Sequence, residues 1–207
     1  MKVNNPLNNI LDSKVKIECL RHLCTYPTEL NGRQLSKYLG ITPKSIHKAM
    51  SVLVDEGVVN FTSHGNSFGY SINRNKWINR QLLLPLFQKE KTLLDTISQG
   101  LRRELTSGPL KRHILSVVLF GSVQKKEDTN RSDLDLFILV DKESSVPEVE
   151  EKIAKVGSLF TKGFGIVFGP YVKSVASFKK DKSLNVIKSI LSSNKVIYGK
   201  DLTGYVR

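Results

Sequence analysis

The sequence predicts an α+β protein with two small domains joined by a helix. Its 207 residues, 40% of them hydrophobic and 25% charged, are enough for two cores of ordinary composition. The first third shows helical spacing followed by a hairpin pattern, and the last half alternates strand-like apolar runs with helical stripes. The predicted boundaries are residues 1–78 for the first domain, 79–108 for the connecting helix and 109–207 for a mixed α/β domain.

The N-terminal domain is predicted to contain three helices and a β-hairpin. Thr42 followed by Pro43 predicts a helix start, because threonine caps the first amides and proline needs no amide there. Runs that alternate apolar and polar residues, separated by Ser-His-Gly-Asn at residues 63–66, predict the hairpin. The predicted elements are helices at residues 13–25, 32–39 and 43–56 and strands at residues 58–62 and 67–72.

This order of elements is typical of a winged helix-turn-helix. Residues 10–75 resemble the DNA-binding domain of small prokaryotic regulators of the MarR and ArsR kind. The resemblance implies a double-stranded DNA partner, contacted from the start of the third helix. The residues expected to reach phosphates or base edges are Lys44, Ser45, His47 and Lys48. The alternative is a dimerisation or docking module, which the lack of Lys or Arg at residues 63–66 favours.

The connecting helix is predicted from an apolar stripe at helical spacing over residues 79–106. Pro85 fits its first turn, and Ser107-Gly108-Pro109 ends it. The stripe fits packing against either domain or against a second copy of the chain. A homodimer is therefore compatible with the sequence.

The net charge indicates a polyanionic partner. Thirty-two Lys and Arg against nineteen Asp and Glu leave +13, and both halves of the chain share the surplus. The alternative is a general contribution to solubility. No run of 18 apolar residues predicts a membrane span, and the first twelve residues lack the apolar core of a secretory signal. We therefore expect a cytoplasmic protein without a membrane partner.

The residues that could bind a ligand lie at the ends of two apolar strands predicted in the second domain. The first strand ends at Gly121 and Ser122, where the missing Cβ lets a phosphate approach the backbone. Asp133 and Asp135, twelve and fourteen positions after Gly121, lie two apart on the next strand and project from the same face. Paired carboxylates are the oxygen ligands that Mg²⁺ takes beside a nucleoside triphosphate.

These motifs resemble those of the minimal nucleotidyltransferases of the polymerase-β superfamily, over about residues 110–200. The resemblance implies that Gly121 and Ser122 hold the triphosphate of an NTP. It also implies that Asp133 and Asp135 are the catalytic carboxylates and bind Mg²⁺ or Mn²⁺. Lys125 matches a basic position of the family motif and is expected to contact phosphate, with solvated surface charge as the alternative.

One departure from the family pattern concerns a third carboxylate, which active members carry on the following strand. The matching strand is predicted at residues 164–172, and residues 164–170 contain no acidic side chain. We expect Ile166 or Val167 to face the aspartate pair instead. A carboxylate from elsewhere in the chain is the other way to complete the site, and the candidates are Asp141, Glu143 and Asp181.

Two functions fit these features. The first is a DNA-binding regulator of transcription whose nucleotidyltransferase-like domain binds NTP and metal with weak or absent transfer. The alternative is an active nucleotidyltransferase that moves a nucleoside monophosphate from an NTP to a hydroxyl of a protein, a nucleic acid or a small molecule. The empty third position favours the first, whereas the intact Gly-Ser and Asp-x-Asp motifs favour nucleotide binding in both cases.

Overall fold

The helices and strands of the chain fall into two units, Met1–Leu94 and Asp95–Arg207. The structure is a computed structural model, and it describes residues 3–64, 67–129 and 132–206. Within these residues, no helix has the length and apolar character needed to cross a membrane.

The N-terminal unit begins with three helices whose starts are capped by side chains. Asn31 accepts a hydrogen bond from the Gln34 amide, and Gln34 returns one to the Asn31 amide. Thr42 accepts from the Ser45 amide, so the predicted start at Thr42-Pro43 is confirmed. The helices are α1 (Lys14–Thr25), α2 (Gly32–Leu39) and α3 (Pro43–Asp55).

An antiparallel hairpin follows the third helix. Its strands are β1 (Val59–His64) and β2 (Ser67–Ile72), paired with Val59 opposite Ile72. The predicted turn at residues 63–66 lies partly outside the described residues, which end at 64 and resume at 67. The paired strands confirm the predicted hairpin.

The core of the N-terminal unit lies between the helices and the buried end of the hairpin. Its fully buried side chains include Leu20, Ile46 and Met50. Cys19 is buried beside them and Cys24 is half-buried, and both are free thiols. Burial raises the pKa of Cys19 to about 11 and that of Cys24 to about 12, which keeps both thiols protonated and unreactive.

The predicted connecting helix at residues 79–108 is wrong as a single helix. Its first turn is anchored to the N-terminal unit, because the buried Asn79 side chain donates to the carbonyls of Val58 and Asn73, both at 2.7 Å. A break at Thr92 coincides with a bond from its hydroxyl to the Gln88 carbonyl. The segments are a π-helical turn (Asn79–Leu83), α4 (Leu84–Lys91) and α5 (Leu93–Leu105), and the division between units falls within this stretch.

The C-terminal unit is built on a four-stranded mixed sheet. The order across the sheet is β5-β4-β3-β6, with β4 antiparallel to β3 and parallel to β5, and β6 antiparallel to β3. The strands are β3 (Ile114–Leu119), β4 (Leu134–Val140), β5 (Phe168–Ser174) and β6 (Lys195–Gly199). The helices are α6 (Gly121–Lys125), α7 (Val146–Phe164), α8 (Val175–Lys180), α9 (Asn185–Ser192) and α10 (Thr203–Val206).

The third strand of this unit starts later than predicted. The sequence predicts a strand that begins at Phe164, but this residue continues helix α7. Its ring stacks on that of Phe160, one turn earlier, with the ring centroids 5.4 Å apart. The helix ends at Gly165, whose φ of 70° is a left-handed conformation that favours glycine. Strand β5 therefore begins at Phe168.

Candidate functional site

Pairing of β3 with β4 brings the Gly-Ser motif to the aspartates. Leu119 lies opposite Leu136, and the Phe120 amide donates to the Asp135 carbonyl at 3.1 Å. The antiparallel register therefore places Gly121, the residue after the end of β3, beside Asp135. Motifs separated by more than ten residues of sequence become direct neighbours.

Gly121 lies against the Asp135 carboxylate. A Cβ built on Gly121 would overlap Asp135 Oδ2 and would lie 2.8 Å from its Cγ, closer than real Cβ atoms approach. The φ of Gly121 is also positive, at 77°, a conformation that costs any other residue free energy. Glycine is therefore required twice at this position, for its backbone and for the space that Asp135 occupies.

The two aspartates form an electrostatically strained pair. Asp135 is half-buried and Asp133 is exposed. Burial, and then the charge of the Asp133 carboxylate, raise the pKa of Asp135 above its usual range. A bound cation would relieve both effects, since it offsets the lost solvation and the repulsion between carboxylates. This donor set fits Mg²⁺ or Mn²⁺, which take carboxylate oxygens.

Ser122 and Lys125 lie on the short helix α6. Ser122 is half-buried. Its backbone carbonyl accepts a hydrogen bond from the Glu127 amide at 2.9 Å, just after the end of the helix. Lys125 is exposed at the last position of the helix. Ser193 donates to Gln124 Oε1 at 2.8 Å and ties α6 to the end of α9. The sequence carries no signal for this tie, because the partners are 69 residues apart.

The strand residue opposite the aspartates is Gly169. The parallel register pairs Asp135 with Gly169, and a Cβ built on Gly169 would lie 3.0 Å from Asp135 Oδ1 and 3.9 Å from Asp133 Cβ. The residue paired with Asp135 is therefore Gly169, whereas Ile166 and Val167, one of which was expected to face the aspartate pair, lie just before β5. The Val167 carbonyl accepts from the Leu134 amide at 2.8 Å, which continues the pairing of the two strands up to this point.

The three distant carboxylates have partners elsewhere. Asp141 lies 2.8 Å from His113 Nδ1, and Asp181 lies 2.5 Å from Lys173 Nζ. Glu143 accepts hydrogen bonds from the hydroxyls of Ser174 and Ser177. Across residues 3–64, 67–129 and 132–206, no three His, Cys, Asp or Glu side chains gather as metal ligands do. Asp133 and Asp135 therefore stand as a pair.

Comparison with known proteins agrees with this geometry. Residues 109–203 match the family model described as polymerase beta, nucleotidyltransferase. The C-terminal unit carries a nucleotidyltransferase domain. The match covers less than half of the chain, and the N-terminal unit lies outside it.

Two solved structures also show a likeness to the chain, each over 54% of this chain and 79% of the other. One is the crystal structure of a toxin–antitoxin with AMP-PNP, at 14% identity and a TM-score of 0.34. The other is the toxin–antitoxin MntA-HpeT in a mutant form, at 12% identity and a TM-score of 0.32. No curated protein matches the chain.

The residues predicted to bind DNA lie outside the nucleotidyltransferase domain, at the start of α3. Lys44, His47 and Lys48 are exposed there. Ser45 is half-buried, and its hydroxyl accepts from Thr42 Oγ1 at 2.9 Å, so it also takes part in capping the helix. The placement leaves three cationic or titratable side chains accessible on one helix start, and their role in DNA binding stays a prediction.

Proposed function

We propose that the nucleotidyltransferase domain binds an NTP together with Mg²⁺ or Mn²⁺ at Gly121, Ser122, Asp133 and Asp135. The observation that carries this proposal is the packing of the Asp135 carboxylate against the backbone of Gly121. A phosphate bound at the Gly-Ser turn would lie next to the carboxylates of Asp133 and Asp135. Because phosphate and carboxylates are all negatively charged, a cation between them is needed to offset their repulsion. The raised pKa of Asp135 shows that, without a cation, burial and the neighbouring Asp133 charge disfavour its ionised form.

Each residue has a distinct part in this binding. Gly121 leaves room for the Asp135 carboxylate beside the turn, and the Ser122 hydroxyl and amide are donors to phosphate oxygens. Lys125 adds a positive charge near the end of α6. A divalent cation held by Asp133 and Asp135 would neutralise charge on the phosphates. The half-burial of Asp135 lowers the local dielectric constant and strengthens its attraction for a cation.

We further propose that transfer by the wild type is weak or absent, because Gly169 occupies the position opposite the aspartates. The alternative function is active transfer of a nucleoside monophosphate to a hydroxyl, with release of pyrophosphate. The intact Gly-Ser and Asp-x-Asp motifs favour this alternative. A measurement of nucleotidyl transfer by the wild type distinguishes the two functions.

Asp133→Asn combined with Asp135→Asn is expected to abolish metal-dependent NTP binding, measured by calorimetry on the full chain. Each amide keeps its shape but loses the charge that holds a cation. The thermal midpoint without metal should stay unchanged or rise slightly, because the repulsion within the pair is removed. In the wild type, affinity should fall as the pH drops through the raised pKa of Asp135, since protonation removes its charge.

The matched control replaces Glu148 and Glu150 of α7 by glutamine, which also removes two charges from the same unit. Both control side chains are exposed. Equal NTP affinity in the aspartate variant and in this control would contradict the metal site.

For the N-terminal unit, we propose a winged helix-turn-helix that binds double-stranded DNA through Lys44, Ser45, His47 and Lys48. The order of three helices and a hairpin supports it, as does the exposure of three of these side chains. Together with the nucleotidyltransferase domain, this makes the chain a DNA-binding regulator that responds to nucleotide. Its rival is a docking or dimerisation module, which would bind no DNA at any salt concentration.

Lys44→Ala with Lys48→Ala is expected to weaken duplex binding and to flatten its salt dependence. Each lysine that neutralises a phosphate contributes close to one unit to the slope of log K against log salt, so the slope should fall by about two. Fluorescence anisotropy at several salt concentrations measures it. Lys14→Ala with Lys89→Ala, two exposed lysines of α1 and α4, is the control and should leave the slope unchanged.

A further inference from the structure

One face of the hairpin extends an aromatic surface beyond the helical core. Side chains alternate between the faces of a strand, so Val59 and Phe61 of β1 share a face with their partners Ile72 and Tyr70 of β2. Val59 and Ile72 are buried at the core end. Towards the tip, the same face continues with Phe68. The hairpin therefore carries its apolar face past the point where the helices cover it.

The outer rings of this face are accessible. Phe61 is 48% exposed and Phe68 is 52% exposed, although both are fully apolar. Their rings stack with centroids 5.1 Å apart and planes 22° apart, and Phe61 also contacts the buried Tyr70 at 5.6 Å. The stack holds both rings in place and presents a flat aromatic surface. Such a surface suits another planar ring.

Phe68 and Tyr70 line one side of a groove of about 430 Å³ in the N-terminal unit. The other side comes from the starts of α2 and α3 and includes Arg33 and His47, both exposed. None of the described residues that line the groove has a carboxylate. The groove thus combines aromatic faces with positive or titratable groups, in a volume that suits a nucleotide.

We propose that this groove takes an unpaired base of a single-stranded nucleic acid, stacked on Phe68 with its phosphate beside Arg33. A planar ring joined to an anion is what such a lining complements, and an apolar peptide would leave Arg33 without a counter-charge. In a duplex, neighbouring pairs cover the faces of each base, so only an unpaired base offers its face to Phe68. The inference goes beyond the proposed duplex binding through Lys44, Ser45, His47 and Lys48, of which only His47 also lines the groove.

The test is fluorescence anisotropy of the full chain with a labelled oligothymidylate of about 12 nucleotides. Phe68→Ala is expected to weaken binding by about tenfold, the effect of losing one base–aromatic stack. Phe68→Tyr keeps the ring and should bind like the wild type. Tyr38→Ala is the control, because Tyr38 is 64% exposed in the same unit but stacks on His22, outside the groove.

Abasic oligonucleotides separate stacking from charge attraction. If the base stacks on Phe68, abasic positions weaken wild-type binding and add little to the effect of Phe68→Ala. Duplex binding should keep its dependence on Lys44 and Lys48 and be unchanged by Phe68→Ala, so failure of either proposal is visible separately. If thermal melting shows that Phe68→Ala is unfolded, Arg33→Ala is the second variant, because it removes an exposed side chain of the groove and should weaken oligonucleotide binding by removing the charge beside the phosphate.

Three results would overturn the inference. The first is wild-type affinity for the oligonucleotide in a folded Phe68→Ala variant. The second is equal affinity for abasic and intact strands. The third is competition by free thymidine monophosphate at concentrations similar to those of the oligonucleotide, which would make the groove a mononucleotide site.

Discussion

Gly121→Ala is expected to abolish NTP binding and to lower the stability of the C-terminal unit. The new Cβ would overlap Asp135 Oδ2, so the carboxylate must leave the position beside the Gly-Ser turn. The φ of 77° adds a cost of about 1–2 kcal/mol for any residue with a Cβ. Calorimetry with NTP and Mg²⁺ measures the first effect, and thermal or denaturant unfolding measures the second.

Gly163→Ala is the matched control. Gly163 lies in helix α7, and a Cβ built there would meet no atom within 4 Å. The Gly163→Ala variant should therefore bind NTP like the wild type. Its free energy of unfolding should rise by up to about 1 kcal/mol, because alanine is a better helix former than glycine. NTP affinity in Gly121→Ala equal to that in Gly163→Ala would disprove the proposed role of Gly121.

Nucleotidyl transfer by the wild type is expected to be slow or absent under conditions where NTP binding is readily measured. Transfer requires the attacking hydroxyl to lose its proton and the leaving pyrophosphate to be neutralised. Asp133 and Asp135 supply two carboxylates, and the position opposite them holds Gly169, which can neither accept a proton nor bind a cation. The assay follows label from α-labelled NTP with Mg²⁺ or Mn²⁺ and candidate acceptors.

Gly169→Asp should raise turnover, because it places a third carboxylate beside the pair. The new Cβ would lie 3.0 Å from Asp135 Oδ1, which is the end of a side chain. A small rotation of that side chain moves the oxygen away by the few tenths of an ångström that are needed. Without metal, the added negative charge should lower the thermal midpoint, and Mg²⁺ should restore it. Gly169→Asn has the same shape without the charge and should gain neither turnover nor metal dependence.

Robust transfer by the wild type that is lost in Asp135→Ala would contradict the expectation of a deficient site. It would favour the alternative function, an active nucleotidyltransferase. Asp141, Glu143 or Asp181 would then have to leave its present partners to complete the site. Substituting each of the three by its amide identifies which one moves.

Local signals in the sequence were sufficient where the relevant interaction spans a few residues. The capping of α3 by Thr42 and Pro43 and the apolar stripe of α7 through Val149, Ile153, Val156 and Phe160 are of this kind. The connecting helix shows the limit of such signals. Its apolar spacing continues through Thr92, where the helix breaks, so periodicity alone did not indicate the interruption.

The sequence by itself determined the chemistry of the candidate site, because Gly121, Ser122, Asp133 and Asp135 carry it in their residue types and in their positions at strand ends. Only the tertiary structure decided that Gly169 faces the pair. That outcome depends on the register between β4 and β5, which is set by where α7 ends and how it returns the chain to the sheet. Register is a long-range property: a shift of one residue exchanges the two faces of a strand without changing any local pattern.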